Sequence, residues 1–268
     1  MKTKPVKELS IQISLSGLSF CIINKSENLV EFIKSIDLEH KQSPANLLAR
    51  LKAVFETNSV FEQDFTNISC IYQNELSCLV PKDLFKSEHL ADYLKFNAKI
   101  LKTDFINYDE VKSIEAINVY VPLVNINNYL FDRFGSFTYK HSSTILIEQL
   151  ISEKVTVNEK LFLNVNQSTF EILSFGADKL KFYNIFQYQT PQDLVYYLLF
   201  TIEQLNLDTE IIKLFLIGGI EKENETFKLI YKYVRNVEIL EFEPHFKFEK
   251  PNDKTMATNH FIILNSFS

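Results

Sequence analysis

Residues 161–173 read LFLNVNQSTFEIL, two apolar runs joined by the polar turn NQST. A hairpin of this kind handles phosphate when its first run carries a carboxylate and its turn carries glycine. The carboxylate organises metal-bound water, and glycine lets the backbone approach the anion. Asn164 and Asn166 stand at those two places. A carboxamide hydrogen-bonds but brings no negative charge to hold Mg²⁺, and the Cβ of Asn166 crowds a phosphate. Ser168 and Thr169 can donate to an anion, though turn residues serve their own backbone as readily. A second segment, LSIQISLSG, places Gln12 and Ser14 at comparable positions. Gln12 and Asn164 are mid-strand polar residues that either sit half-exposed, bonded to nearby backbone, or line a cleft. Their matching places in the two halves favour the cleft. The pair Gly218-Gly219 follows the apolar run LFLI and reads either as a simple turn or as a ligand contact.

Other chemistries have weaker support. Only five glycines occur in the chain, too few for several phosphate cradles. His40, His89, His141, His245 and His260 have no Cys or carboxylate at ligand spacing, so no metal site is expected. Neither G-x-S-x-G nor G-x-x-x-x-G-K-[ST] is present. Asp83, Glu88, Asp92 and Asp104 read as a solvated face rather than a catalytic set.

The elements that position these residues recur twice. LSIQISLSGLSFCIIN and ENLVEFIKSIDL are strands by alternation, with Gly17 in the first turn and Lys25–Asn28 in the second. SPANLLARLKAVFETN is a helix with Ser43 as N-cap and Pro44 at its first position. Its apolar face comprises Leu47, Leu48, Leu51, Val54 and Phe55. Ile68–Tyr72 follows as a buried strand. The second half repeats this order: a hairpin in KLFLNVNQSTFEILSF, a turn at Gly176–Asp178, the strand KLKFYNIFQY, a helix capped by Thr190-Pro191, and the strand IIKLFLIGGI. A shared β-β-β-α-β order with the same capping device marks a repeat.

Between the halves, PKDLFKSEHLADYLKFNAKIL is expected to be helical, and the stretch from Ile117 to Ser152 reads strand, helix, strand, helix. Residues 152–158 are polar and form the expected boundary. The tail FEPHFKFEKPND is expected to be a charged loop, and MATNHFIILNSF a final helix packed on the second half.

This order resembles the actin-like ATPase superfamily, nearest its bacterial cell-division and pilus-assembly members, and within it a bacterial family of unknown function. The resemblance implies an α/β protein of two duplicated ribonuclease H-like subdomains, residues 1–157 and 158–268, each a mixed sheet, flanking a nucleotide cleft. It places Gln12, Ser14, Asn164, Asn166, Ser168, Gly218 and Gly219 in that cleft, with Gly218-Gly219 on the adenosine side. Where the superfamily has Asp then Gly in each hairpin this chain departs from it, and Thr190-Pro191 stands where a glycine often opens the second helix. The cleft is therefore expected to be vestigial: no catalytic residue, no metal and no cofactor. The chain is then a pseudo-ATPase acting as a scaffold or adaptor for protein partners. The alternatives are a weak ATP-binding sensor or ATPase, and a cleft that holds an unrelated small molecule.

Composition is ordinary for a soluble globular protein. The chain of 268 residues is 46% hydrophobic and 23% charged, enough to bury a core without disulfides or metal. Its net charge is −6 and its Lys and Arg are scattered, so no nucleic-acid partner is expected. Cys21, Cys70 and Cys78 are an odd set in apolar surroundings and read as reduced, buried thiols. The start MKTKPVKELS lacks a signal core, no run spans a bilayer, and FIILNSF lacks a cationic flank. A cytoplasmic location without membrane contact is expected.

Overall fold

The computed structural model describes residues 5–96, 98–152, 159–177, 179–248 and 254–267. The chain divides into two units: Met1–Glu148 with Pro244–Pro251 and Ile262–Ser268, and Gln149–Glu243 with Asn252–Phe261. The expected boundary lies outside the described residues from 153 to 158, as does Asp178 of the expected turn.

The first unit opens with β1 (Lys7–Ser14), β2 (Gly17–Asn24) and β3 (Leu29–Asp37), then α1 (Pro44–Thr57) and β4 (Asn67–Tyr72). Ser43 caps α1 by accepting from the Asn46 amide at 3.2 Å, a contact worth about 1 kcal/mol. Leu9, Ile11 and Ile13 alternate towards a core shared with Leu47, Leu51 and Phe55 of α1. Phe20, Phe55 and Phe61 interlock there, with Phe55 edge-on to the other two. The other face of β1 carries Glu8, Ser10, Gln12 and Ser14.

After β4 come β5 (Ser77–Pro81), α2 (Leu90–Leu94), β6 (Asn107–Val111) and β7 (Ala116–Tyr120). The antiparallel sheet β5-β7-β6 packs Val80, Ile117 and Val119 against Leu94. This corrects the helical expectation for residues 82–101. The polar run Lys86, Ser87, Glu88 and His89 interrupts the apolar spacing for a full turn, so only 3-10 turns and the five-residue α2 form. Asp83, Glu88 and Asp92 are exposed, as expected of a solvated face, whereas Asp104 is half-buried and accepts from the Leu101 amide at 2.7 Å.

The expected strand, helix, strand, helix then follows: β7, α3 (Val124–Phe134), β8 (Thr138–His141) and α4 (Ser142–Ser152). The main sheet has the order β3-β2-β1-β4-β8.

The second unit holds β9 (Glu159–Val165), β10 (Thr169–Gly176), β11 (Lys179–Gln187), α5 (Pro191–Gln204), β12 (Lys213–Gly218), α6 (Glu225–Tyr233) and β13 (Asn236–Ile239). Its sheet, β11-β10-β9-β12-β13, repeats the order of the first. Thr190 and Asp193 form a reciprocal capping box at the start of α5. Leu194, Leu198 and Ile202 of α5 and Ile230 of α6 cover one sheet face.

The repeat extends to an irregularity. In the first unit Ile23 pairs with Val30 and Ile22 with Phe32, so Glu31 is an extra residue in β3. In the second Phe175 pairs with Leu180 and Ser174 with Phe182, so Lys181 is extra in β11. Both bulges fall on the third residue of the third strand.

The tail departs from expectation. Within the expected loop, β14 (Lys247–Phe248) pairs in parallel with Leu29 and Val30 of β3, and Asn28 Nδ2 donates to the His245 carbonyl at 2.7 Å. The final helix is split into α7 (Lys254–Asn259) and α8 (Phe261–Leu264). Residues from Ile262 onward belong to the first unit rather than the second. Ser266 Oγ donates to Ser10 Oγ at 2.7 Å, which satisfies a hydroxyl on the polar face of β1. Among the described residues, no helix is long and apolar enough to cross a membrane.

Candidate functional site

The ladder registers place Gln12 and Asn164 on equivalent rungs. Gln12 lies beside Ile71 of the parallel strand β4, and Asn164 beside Ile217 of β12. One residue on, the Ile13 carbonyl accepts from the Gln73 amide and the Val165 carbonyl from the Gly219 amide, both at 2.9 Å. Gln73 and Gly219 are therefore counterparts as well.

In the second unit Asn164 faces Glu171 across the β9-β10 hairpin. Asn164 Nδ2 donates to Glu171 Oε2 at 2.6 Å, and the Tyr183 hydroxyl donates to Oε1 at 2.8 Å. Glu171 is 1% exposed. Burial pushes its carboxyl above the ordinary glutamate value, while Asn164, Tyr183 and Asn166 pull it back. The sequence reading missed Glu171, although a charged residue between Phe170 and Ile172 in an apolar strand was the available signal. Because its folded pKa is raised, Glu171 contributes stability at low pH that fades as pH rises from about 4.5 through the folded value. Glu171→Gln is expected to remove that decline, measured as denaturant midpoints across pH.

The turn itself is locked by backbone bonds. The Asn166 amide donates to the Thr169 carbonyl at 2.9 Å, and the Tyr188 hydroxyl donates to the Asn166 carbonyl at 2.6 Å. The Ser168 carbonyl accepts from the Tyr188 amide at 3.2 Å. Asn166 Nδ2 is buried without a hydrogen bond of good geometry, although it lies near enough to bear on Glu171.

Gly218 has a structural reason of its own. Its φ is +85°, and a Cβ there would lie 2.3 Å from the Val165 carbonyl oxygen and 2.9 Å from Asn164 Oδ1. At Gly219 the nearest contact to such a Cβ is the Val165 oxygen at 3.8 Å. The close passage of β9 thus accounts for the first glycine and leaves the second open.

In the first unit Gln12 Nε2 donates to Gln73 Oε1 at 2.8 Å. Ser14 Oγ accepts from the Ser16 amide at 3.2 Å and closes its own turn. The structure thus gathers Asn164, Asn166 and Gly218 with Glu171 in one unit, and Gln12 with Gln73 and the Ser14 turn in the other. Among the described residues, Gln73 Nε2 and Asn166 Nδ2 are the two buried side-chain nitrogens without a partner. Each stands near the turn end of its unit's first strand.

A second polar cluster lies in the first unit at the start of α4. Asp109 Oδ2 accepts from the His141 amide at 2.7 Å and from Thr144 Oγ1 at 2.8 Å. Asn118 Nδ2 donates to Ser143 Oγ at 2.9 Å. His141 Nε2 contacts the Asn74 carbonyl at 3.1 Å, which can only accept, so Nε2 carries the proton. Nδ1 then accepts from Ser143 Oγ at 2.7 Å. His141 and Ser143 are both 0% exposed, so this Ser–His pair has no route to a substrate and reads as a core network. Among the described residues no three His, Cys, Asp or Glu side chains converge as a metal site. Cys21 and Cys70 are buried free thiols, and burial pushes Cys70 up to about 12.

The model of a family described as a protein of unknown function, DUF3822, matches residues 1–237. The chain belongs to the DUF3822 family. Among solved structures it is similar to a Bacteroides thetaiotaomicron protein with actin-like ATPase fold and unknown function. That match has 22% identity and a TM-score of 0.74, over 87% of this chain and 90% of the other. It is also similar to a chain of the PilM-PilN type IV pilus biogenesis complex, at 10% identity and TM-score 0.63, over 97% of each. The ethanolamine utilization protein EutJ from Carboxydothermus hydrogenoformans matches at 8% identity and TM-score 0.50, over 99% of this chain and 90% of the other. None of the curated protein sequences matches. The fold of this DUF3822 chain is that of the actin-like ATPases, with the expected α/β architecture.

Proposed function

We propose that this protein is a non-catalytic actin-like scaffold or adaptor whose hairpins have given up metal chemistry. The observation that carries the reading is the pair of carboxamides on equivalent rungs, each engaged internally: Gln12 with Gln73 and Asn164 with Glu171. A neutral amide, held to its neighbour through its nitrogen, keeps a carbonyl oxygen but supplies none of the negative charge that Mg²⁺ draws on. Glu171 does not offer its carboxylate to a cation, because it is buried with its two oxygens bonded to Asn164 and Tyr183. The residues at these positions therefore do not fit a magnesium-dependent hydrolysis. A place in a protein assembly is supported by a fold neighbour, a chain of the PilM-PilN type IV pilus biogenesis complex.

One observation favours a second reading. Gln73 Nε2 of the first unit is a buried donor without a partner, and such a donor suits the oxygens of an anion. A metal-independent nucleotide sensor would use it.

Thermal unfolding with millimolar ATP or ADP, each with and without Mg²⁺, separates the readings. A ligand at a hundred times its Kd adds about 2.7 kcal/mol, a shift of several degrees. No shift is the expected result for the scaffold. A shift equal with and without Mg²⁺ supports the sensor, and a shift that needs Mg²⁺ overturns both.

A further inference from the structure

The second unit contains a cavity of about 700 Å³ beside β13, the edge strand of its sheet. Every residue from Val237 to Glu241 lines it. Successive strand residues point to opposite faces of a sheet, so a cavity that meets all of them includes the strand's backbone, and Phe215 of β12, the rung partner of Glu238, extends it over one sheet face. Among the described residues β13 pairs only with β12. Its outer amides and carbonyls are therefore the groups an incoming strand would use.

The opposite wall comes from α7, tied to the end of β13 by a 3.0 Å hydrogen bond from Thr258 Oγ1 to the Leu240 carbonyl. The floor is apolar, formed by Phe215, Ile220 and Leu240, all nearly buried. The charged side chains around it are Glu221, Glu223, Glu238 and Glu241 against the single Lys222. Such a surround repels a polyphosphate and attracts cations.

We propose that this cavity binds an extended basic segment of a partner protein, which adds to β13 as an outer strand. Its alternate side chains would be apolar, reaching the floor, and cationic, meeting the glutamates. Three features argue for this occupant over a small molecule: an open strand edge for main-chain pairing, an apolar floor beside it, and an acidic surround. The volume is that of a site enclosing an organic group of many atoms rather than a single ion. The cavity is remote in sequence from the two hairpin turns, while Ile220–Glu223 in its lining directly follow Gly218-Gly219.

The test is fluorescence anisotropy of the full chain with a labelled peptide alternating lysine and valine. Binding is expected that weakens as salt is raised. The peptide alternating glutamate and valine is expected not to bind. Glu223→Lys with Glu238→Lys, both exposed and so compatible with folding, is expected to raise Kd about tenfold or more. N-methylation of alternate lysine-valine peptide bonds is expected to weaken binding by about the same factor, because it removes main-chain donors. The proposal is overturned if the lysine-valine peptide fails to bind at millimolar concentration, or if the glutamate peptide binds equally. It is equally overturned if the double variant or N-methylation leaves Kd unchanged, or if arginine amide binds as tightly as the peptide, which would mark a small-cation site.

Discussion

Gly218→Ala is expected to destabilise the protein by about 2–5 kcal/mol in the absence of any ligand, lowering Tm by roughly 10 °C. Two effects add. A side chain at φ +85° sits in a region that costs an L-residue about 1–2 kcal/mol. The new methyl would also lie 2.3 Å from the Val165 carbonyl oxygen, far inside contact distance. Relieving that overlap would push β12 from β9 at the rung where Gly218 and Val165 pair, a strain of about 1–3 kcal/mol. Gly219→Ala is the control, since its nearest contact is 3.8 Å away, and a change within about 1 kcal/mol is expected. Denaturant unfolding followed by circular dichroism reads both. Equal stability of the native chain and Gly218→Ala would mean that the glycine serves something other than the passage of β9.

Acidification is expected to weaken the first unit through His141 by about 3 kcal/mol. Burial lowers its pKa from 6.5 to about 4, with the Asn74 carbonyl opposing the shift. The unfolded chain takes up a proton below about 6.5 that the folded chain refuses until about 4, so stability falls as pH drops through that window. The group packed nearest works in the opposite sense. Burial raises the Asp109 carboxyl, so its contribution is fullest below 3.8 and declines as pH rises through its folded value. Asp109→Asn should therefore steepen the loss on acidification, and His141→Gln should flatten it, each at some cost in absolute stability. Denaturant midpoints at several pH values distinguish the two. A slope unchanged by His141→Gln would show that the imidazole is not the titrating group.

The parts of this fold legible in the sequence were those encoded over short distances. Ser43-Pro44 and Thr190-Pro191 announced helices because capping needs only adjacent residues, and the alternation of Leu9, Ile11 and Ile13 announced a strand. What escaped depends on distant partners. β5 contains Pro81, and β6 reads Asn-Tyr-Asp-Glu-Val, and neither has a strand's alternation until β7 pairs with both. The two residues of β14 are a strand only because β3 lies beside them. At the hairpins, the positions of Gln12 and Asn164 were readable from the repeat. The identity of their partners was not: Gln73 and Glu171 meet them across registers that composition does not state. Gly218 likewise looked ambiguous because its reason lies in a strand some fifty residues away in the chain.

The return of the tail has a consequence for how the molecule is made. The first unit takes its outer strand from residues 247–248 and a covering serine from residue 266. A ribosome must therefore synthesise as far as residue 266 before the earliest strands acquire these neighbours. Until then the edge of β3 and the polar face of β1 wait uncovered, while the residues of the second unit up to β13 have already emerged. Assembly is thus expected to run against the direction of synthesis. A fragment cut after α4 would carry the first unit's strands yet lack the pieces that finish it.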